Sequence, residues 1–132
     1  MSKDVIQNVC VVGAGTMGRQ IALNAAINGY NTALTDTMPE ILAAVAKWAS
    51  EYLAGRVAKG KLTQGLADTA MSRFKIIDRL EEAVKDADLI IEAIVEKLDI
   101  KRSLFEQLDR LALPHAILAT NSSSFVSSRI AD

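Results

Sequence analysis

The sequence predicts an α/β fold, a doubly wound and mostly parallel sheet, on three observations. A short valine-rich run, Asn8 to Val12, leads directly into Gly13, Gly15 and Gly18 and then into a helical run. The next β-prone run ends in an acidic residue, Asp36, about 20 residues beyond the glycines. From there β-prone and helical segments keep alternating, as a parallel sheet with crossover helices requires.

The first unit has a mechanical reading. Gly13 permits a sharp turn from strand to helix, Gly15 lets the backbone approach a pyrophosphate, and Gly18 lets the helix pack closely on the sheet. Amides at the amino end of that helix, those of Thr16 and Met17 among them, point at the phosphates, and the helix dipole favours negative charge there. Met17 to Ile27 carries apolar residues at helical spacing, and Gly29 is its stop. Asn31 to Thr35 is the second strand. A carboxylate at Asp36 accepts hydrogen bonds from both hydroxyls of an adenine ribose and repels a 2′-phosphate, and Thr37, Met38 and Pro39 offer no cation to offset that repulsion. The predicted cofactor is therefore NAD rather than NADP. The competing reading makes Asp36 a solvated turn residue or a cap before Pro39.

Further along, Glu40 to Lys59 reads as a long helix with Pro39 in its first turn, interrupted by Gly60 and followed by a helix from about Thr63 to Arg73. Phe74 to Asp78 is a short strand, Leu80 to Lys85 a short helix, and Leu89 to Ala93 an apolar buried strand. Leu98 to Leu111 is helical, Pro114 breaks the pattern, and Ala116 to Thr120 is the last strand. The predicted strand order is 3-2-1-4-5, with the cofactor across the carboxyl ends of strands 1 and 4.

Composition bounds the class. The chain has 132 residues, half of them hydrophobic, and a formal net charge of -1. That length buries a substantial core, and no apolar run approaches the roughly 20 residues needed to cross a bilayer. Near-neutral charge gives no general attraction to nucleic acid. The single cysteine, Cys10, lies inside the first strand and reads as a small buried hydrophobe. The expectation is a cytoplasmic protein with neither nucleic-acid nor membrane partner and no metal site.

Three further places are candidates for chemistry. Glu92 to Lys101 leaves the fourth strand at its carboxyl end, where loops face the ligand, so Glu96 and Lys101 are candidates for the nicotinamide half. The same spacing fits a capped helix with a Glu–Lys surface pair. Thr120 to Ser124 follows the fifth strand, where hydroxyls can donate to a substrate oxygen and Asn121 can fix the turn, although a serine-rich helix cap has the same composition. Arg56, Lys59 and Lys61 can grip phosphates or can simply complement a helix carboxyl terminus.

Three blocks, VVGAGTMG, ADLIIEAIVEKLDIKRSLFEQLD and ILATNSSSF, together resemble the L-3-hydroxyacyl-CoA dehydrogenases, including the 3-hydroxybutyryl-CoA dehydrogenases. The latter two are absent from generic Rossmann domains. The resemblance implies a Rossmann-type NAD-binding domain with Asp36 as ribose ligand and with Glu96, Lys101 and Asn121 in the cofactor site. It also implies Ser123 as the active-site serine and Lys59, more loosely, in the region that meets coenzyme A. Ser122 stands where many relatives have threonine.

In that family hydride passes between C3 of a 3-hydroxyacyl thioester and the nicotinamide. A histidine takes the hydroxyl proton, a glutamate orients it, and serine and asparagine bond the reacting oxygen. By this resemblance residues 1–132 are an incomplete NAD-binding domain. They end before the H-F-F-N-P-like segment that carries the histidine, before the glutamate, and before the helical domain that closes the acyl-CoA cleft and forms the homodimer. The only histidine, His115, precedes the fifth strand and so belongs at the amino end of the sheet, opposite the cofactor. The expectation is an enzyme of fatty-acid metabolism whose isolated 132-residue chain is inactive. The alternative is a small NAD-binding protein without catalysis.

Overall fold

A computed structural model describes residues 6–94 and 98–120. Among them five strands form one sheet: β1 (Asn8–Val12), β2 (Asn31–Thr35), β3 (Phe74–Ile76), β4 (Leu89–Glu92) and β5 (Ile117–Thr120). Their order is β3-β2-β1-β4-β5 and every neighbouring pair is parallel, as the sequence predicts. Helices α1 (Thr16–Ile27), α2 (Pro39–Ala58), α3 (Gln64–Arg73), α4 (Leu80–Val84) and α5 (Leu98–Leu111) make the connections. The chain lays β1, β2 and β3 outward on one side, then returns to place β4 and β5 on the other. This reversal between β1 and β4 opens a crevice at the carboxyl ends of the strands.

Alternation along the strands supplies two cores. Val9 and Val11 of β1 pack with Leu34 of β2 against Leu23 of α1 and Val45 and Leu53 of α2. Cys10 and Val12 point the other way, with Ile90, toward Val84 of α4 and Leu104 and Leu108 of α5. Each such fully buried side chain contributes about 1.5–3 kcal/mol relative to exposure. Burial pushes the Cys10 thiol up to about 12, so it stays protonated and unreactive, as its place in the strand implies.

Element boundaries move by one or two residues for identifiable reasons. α3 starts at Gln64 because Thr63 remains outside as its cap, with Oγ1 accepting the Leu66 amide at 3.1 Å. β3 ends at Ile76 rather than Asp78: its pairing with β2 runs only to Leu34–Ile76, and Ile77 closes it by donating to the Leu34 carbonyl at 2.9 Å. The predicted stop at Gly29 is also found, where Gly29 and Tyr30 donate back to the carbonyls of Ala26 and Ala25. No described helix is long and apolar enough to cross a membrane.

The amino edge of the sheet is fastened by one carboxylate. Asp88, just before β4, accepts the amides of Gln7 and Asn8 at 2.9 Å each, and its other oxygen lies 2.8 Å from Nε2 of His115. His115 therefore sits at the predicted edge, away from the crevice. Its hydrogen bond, with those of the two amides, holds the Asp88 carboxyl below the ordinary carboxylate range. A carboxyl lowered in the folded state adds stability above its unfolded pKa and loses it as pH falls through the folded value. Asp88→Ala should thus cost about 1–2 kcal/mol at neutral pH. Urea unfolding at a series of pH values should show the gap from wild type closing below about pH 4; a gap independent of pH would refute this assignment.

Candidate functional site

Pairing register aligns four residues along the carboxyl edge: Thr35, Val12, Glu92 and Thr120, at the ends of β2, β1, β4 and β5. The turn leaving β1 begins at Gly13, whose φ of +113° suits glycine and whose amide donates to the Thr35 carbonyl at 2.8 Å. A Cβ on Gly13 would stand 2.6 Å from the Ala93 carbonyl oxygen. One on Gly18 would stand 1.7 Å from the Gly13 carbonyl oxygen and 3.4 Å from the Ala93 Cβ. Gly18 therefore packs α1 chiefly onto the turn itself, a closer role than the helix-to-sheet contact read from the sequence. Gly15 is different: its φ is -68° and a Cβ there would meet nothing within 4 Å. Its exposed backbone, with Thr16 and Met17, opens the amino end of α1 to a phosphate, where the first amides have no carbonyl one turn earlier.

The turn is clamped on both sides. Asp36 accepts the Ala14 amide at 2.7 Å through Oδ2 and the Met38 amide at 2.9 Å through Oδ1. Arg19 donates from Nε to the Ala14 carbonyl at 3.1 Å, and its guanidinium lies 5.7 Å from the centre of the Trp48 ring. Each Asp36 oxygen retains a second lone-pair direction for a ribose hydroxyl. Asp36 thus acts as a turn residue, the cap position of α2 being Met38, and that role is compatible with the ribose reading. Arg19 is a residue that sequence reasoning passed over, because nothing in a helical pattern marks a side chain that folds back onto its own turn.

Beside Asp36 lies a cleft of about 510 Å³. Asp36, Thr37 and Met38 form one wall, Asp78 and Leu80 another, and Ile94, Ser103, Leu104 and Gln107 the third. Apolar walls with a carboxylate at the mouth fit an adenosine. The lining holds two aspartates and neither lysine nor arginine, which opposes a 2′-phosphate.

On the far side of β1 the edge is organised by Glu92. Its side chain and that of Lys101 are fully buried. Lys101 Nζ donates to Oε1 at 3.0 Å and Oε2 at 2.9 Å, the Ile94 amide donates to Oε2 at 2.7 Å, and the Thr120 hydroxyl donates to Oε1. Glu96 lies outside the described residues, while the surface position that spacing allows for Lys101 is corrected: it is buried and pairs in the interior with Glu92. The sequence carried a sign of this, since Lys101 stands three and seven residues before Leu104 and Leu108, on the core face of α5. Glu96, Asn121 and Ser123 lie outside the described residues. Arg56 stacks 5.8 Å from the Tyr52 ring, while Lys59 and Lys61 are exposed at the end of α2 and do not line the cleft.

The NAD binding domain of 3-hydroxyacyl-CoA dehydrogenase, as a family, matches residues 8–132. A probable 3-hydroxybutyryl-CoA dehydrogenase of Bacillus subtilis is 40% identical over 126 residues, covering 96% of this chain and 44% of that protein. The mitochondrial hydroxyacyl-coenzyme A dehydrogenase of Rattus norvegicus is 37% identical over 136 residues, 98% of this chain and 43% of its own length. Among solved structures, 3-hydroxybutyryl-CoA dehydrogenase from Escherichia coli K12 superposes with a TM-score of 0.91 at 36% identity, over 96% of this chain and 26% of that one. The chain thus spans less than half the length of these relatives.

Two substitutions test the cofactor geometry. Asp36→Ala strands the Ala14 and Met38 amides and removes the ribose acceptor, so calorimetric titration should show NAD affinity falling by at least about tenfold, or 1.4 kcal/mol; unchanged affinity would remove Asp36 from the site. Gly15→Ala should leave thermal stability within about 1 kcal/mol of wild type, since its Cβ meets nothing, yet weaken NAD by intruding where the pyrophosphate approaches. Equal NAD affinity in that variant would place the phosphates elsewhere.

Proposed function

The chain belongs to the 3-hydroxyacyl-CoA dehydrogenase family through its NAD-binding domain, and from that premise we propose that it is the cofactor-binding part of an enzyme interconverting L-3-hydroxyacyl-CoA and 3-oxoacyl-CoA. The observation that carries this reading is the preformed carboxyl edge, in which Asp36 and Arg19 clamp the Ala14 peptide beside an adenosine-sized cleft. Bound NAD supplies the hydride acceptor. The residues of this chain bind and orient it: Asp36 takes the ribose hydroxyls, and the backbone from Gly13 to Gly18 takes the pyrophosphate. Glu96, Lys101 and Asn121 are assigned to the nicotinamide half. Ser123 is assigned to the reacting oxygen of the substrate, and Lys59 to coenzyme A.

The general base is assigned to the remainder of the full-length enzyme. His115 is committed to Asp88 at the opposite edge and has no route to a substrate over the crevice. General-base catalysis contributes about 10²- to 10⁴-fold, and substrate positioning more. In the full-length enzyme we further propose a homodimer acting in the cytoplasm on acyl-CoA substrates of fatty-acid metabolism.

The purified 132-residue chain should bind NAD yet fail to oxidise NADH with acetoacetyl-CoA at a measurable fraction of the rate of a full-length relative. Turnover near that rate would overturn the assignment of the base, and failure to bind NAD would overturn the cofactor reading itself.

A further inference from the structure

We propose that Glu92 is a positioning residue for the nicotinamide half of the cofactor, acting through Lys101 and Thr120; this rests on the cofactor reading above. Its carboxylate is fully buried at the end of β4 and gathers three separate pieces of chain: the Ile94 amide just past β4, the Lys101 ammonium on α5, and the hydroxyl of Thr120 at the end of β5. Both backbone segments that leave the sheet on this side of the crevice therefore start from groups held by one side chain. The adenosine half of a dinucleotide lies over β1 and β2, and the nicotinamide half crosses the reversal point to the side of β4 and β5. Glu92 stands on that second side, and Asp36 on the first.

Stability alone does not account for such a group. Withdrawing two charges from water costs most of what their attraction returns, and well-packed apolar residues commonly serve a core as well or better. A satisfied buried network instead fixes one geometry, since each donor has a defined acceptor in a medium of low dielectric. Here the fixed object is the ammonium of Lys101 together with the ends of β4 and β5. The side of Glu92 toward β1 is equally constrained, because the neighbouring Ala93 donates its amide to Val12 at 2.8 Å and presents its carbonyl to Gly13.

The experiment compares the affinities of NAD and ADP for the 132-residue chain by calorimetry. ADP engages only the adenosine and pyrophosphate groups. Glu92→Gln keeps the shape but removes the charge, and should lower NAD affinity about tenfold while ADP affinity stays within about twofold of wild type. Thr120→Val leaves the ion pair intact and should lower NAD affinity about threefold with the same indifference to ADP; it decides the matter alone should Glu92→Gln not fold. Parallel loss of NAD and ADP in these variants, as a loosened fold would give, overturns the proposal. So does an unchanged NAD affinity, or equal affinity of the wild-type chain for NAD and ADP. A wild-type chain that binds neither nucleotide refutes the cofactor reading, an outcome distinct from the others.

Discussion

The carboxyl edge depends on one steric constraint, the contact of the Gly13 peptide with α1 on one side and with the end of β4 on the other. An added carbon at Gly18 would overlap the Gly13 carbonyl oxygen, and one at Gly13 would press into the Ala93 carbonyl. Two missing side chains therefore let helix, turn and fourth strand meet in the space of a single residue. Because they meet, α1 begins directly above the crevice and its first amides face it. The same approach brings β4 close enough to β1 for Ala93 to donate to Val12, continuing the strand pairing into the loop. The opening of the helix end and the closure of the sheet thus share one cause.

Around that seam the electrostatics divide into two stations. Asp36 holds the turn from the side of β2, Glu92 holds the strand ends from the side of β5, and the turn itself carries no acidic residue in the first helical turn of α1. A pyrophosphate placed between them meets amides and the positive end of a helix. The carboxylates differ in cost. Asp36 is partly exposed and accepts two backbone amides, whereas Glu92 is out of water and is paired with a buried cation. Lys101 supplies it from a helix whose neighbouring core positions, Leu104 and Leu108, are apolar.

Most of the fold was legible because periodicity changes cleanly from strand to helix at each boundary, and because Gly29, Pro39 and Gly60 fall at helix ends. Strand order followed from the alternation together with the rule that places the cofactor at a reversal point. The cofactor turn was legible for a similar reason: glycine spacing encodes a steric requirement directly. What the sequence did not disclose were the side-chain contacts made across the sheet. Arg19 folds onto Ala14, five residues before it, and reaches the Trp48 ring on α2, and no local pattern specifies that link between helices. Glu92 closes an apolar strand and, in sequence, equally opens the segment after it. Spacing allows its partner Lys101 to reach the cofactor or the surface, and a charged residue on the core face of a helix is uncommon. The heptad-like placement of Lys101 with Leu104 and Leu108 was the available clue.

Strand β4 carries an acid at each end, and the contrast between them explains how the domain separates its edges. Asp88, before the strand, joins the amides that enter β1 to the histidine that precedes β5. Glu92, at its close, joins the end of β5 to α5. Both acids tie β4 to its neighbour β5, but only the first pair faces water, with the His115 side chain 45% exposed and that of Lys101 0% exposed. Salt and protons reach the exposed pair readily, while the buried one is shielded from screening. Solvent therefore has access to the clasp at the amino edge, while the geometry of the carboxyl edge is held by a pair out of water. A fold that must hold a long dinucleotide in one conformation gains from having its solvent-sensitive clasp at the far end of the same strand.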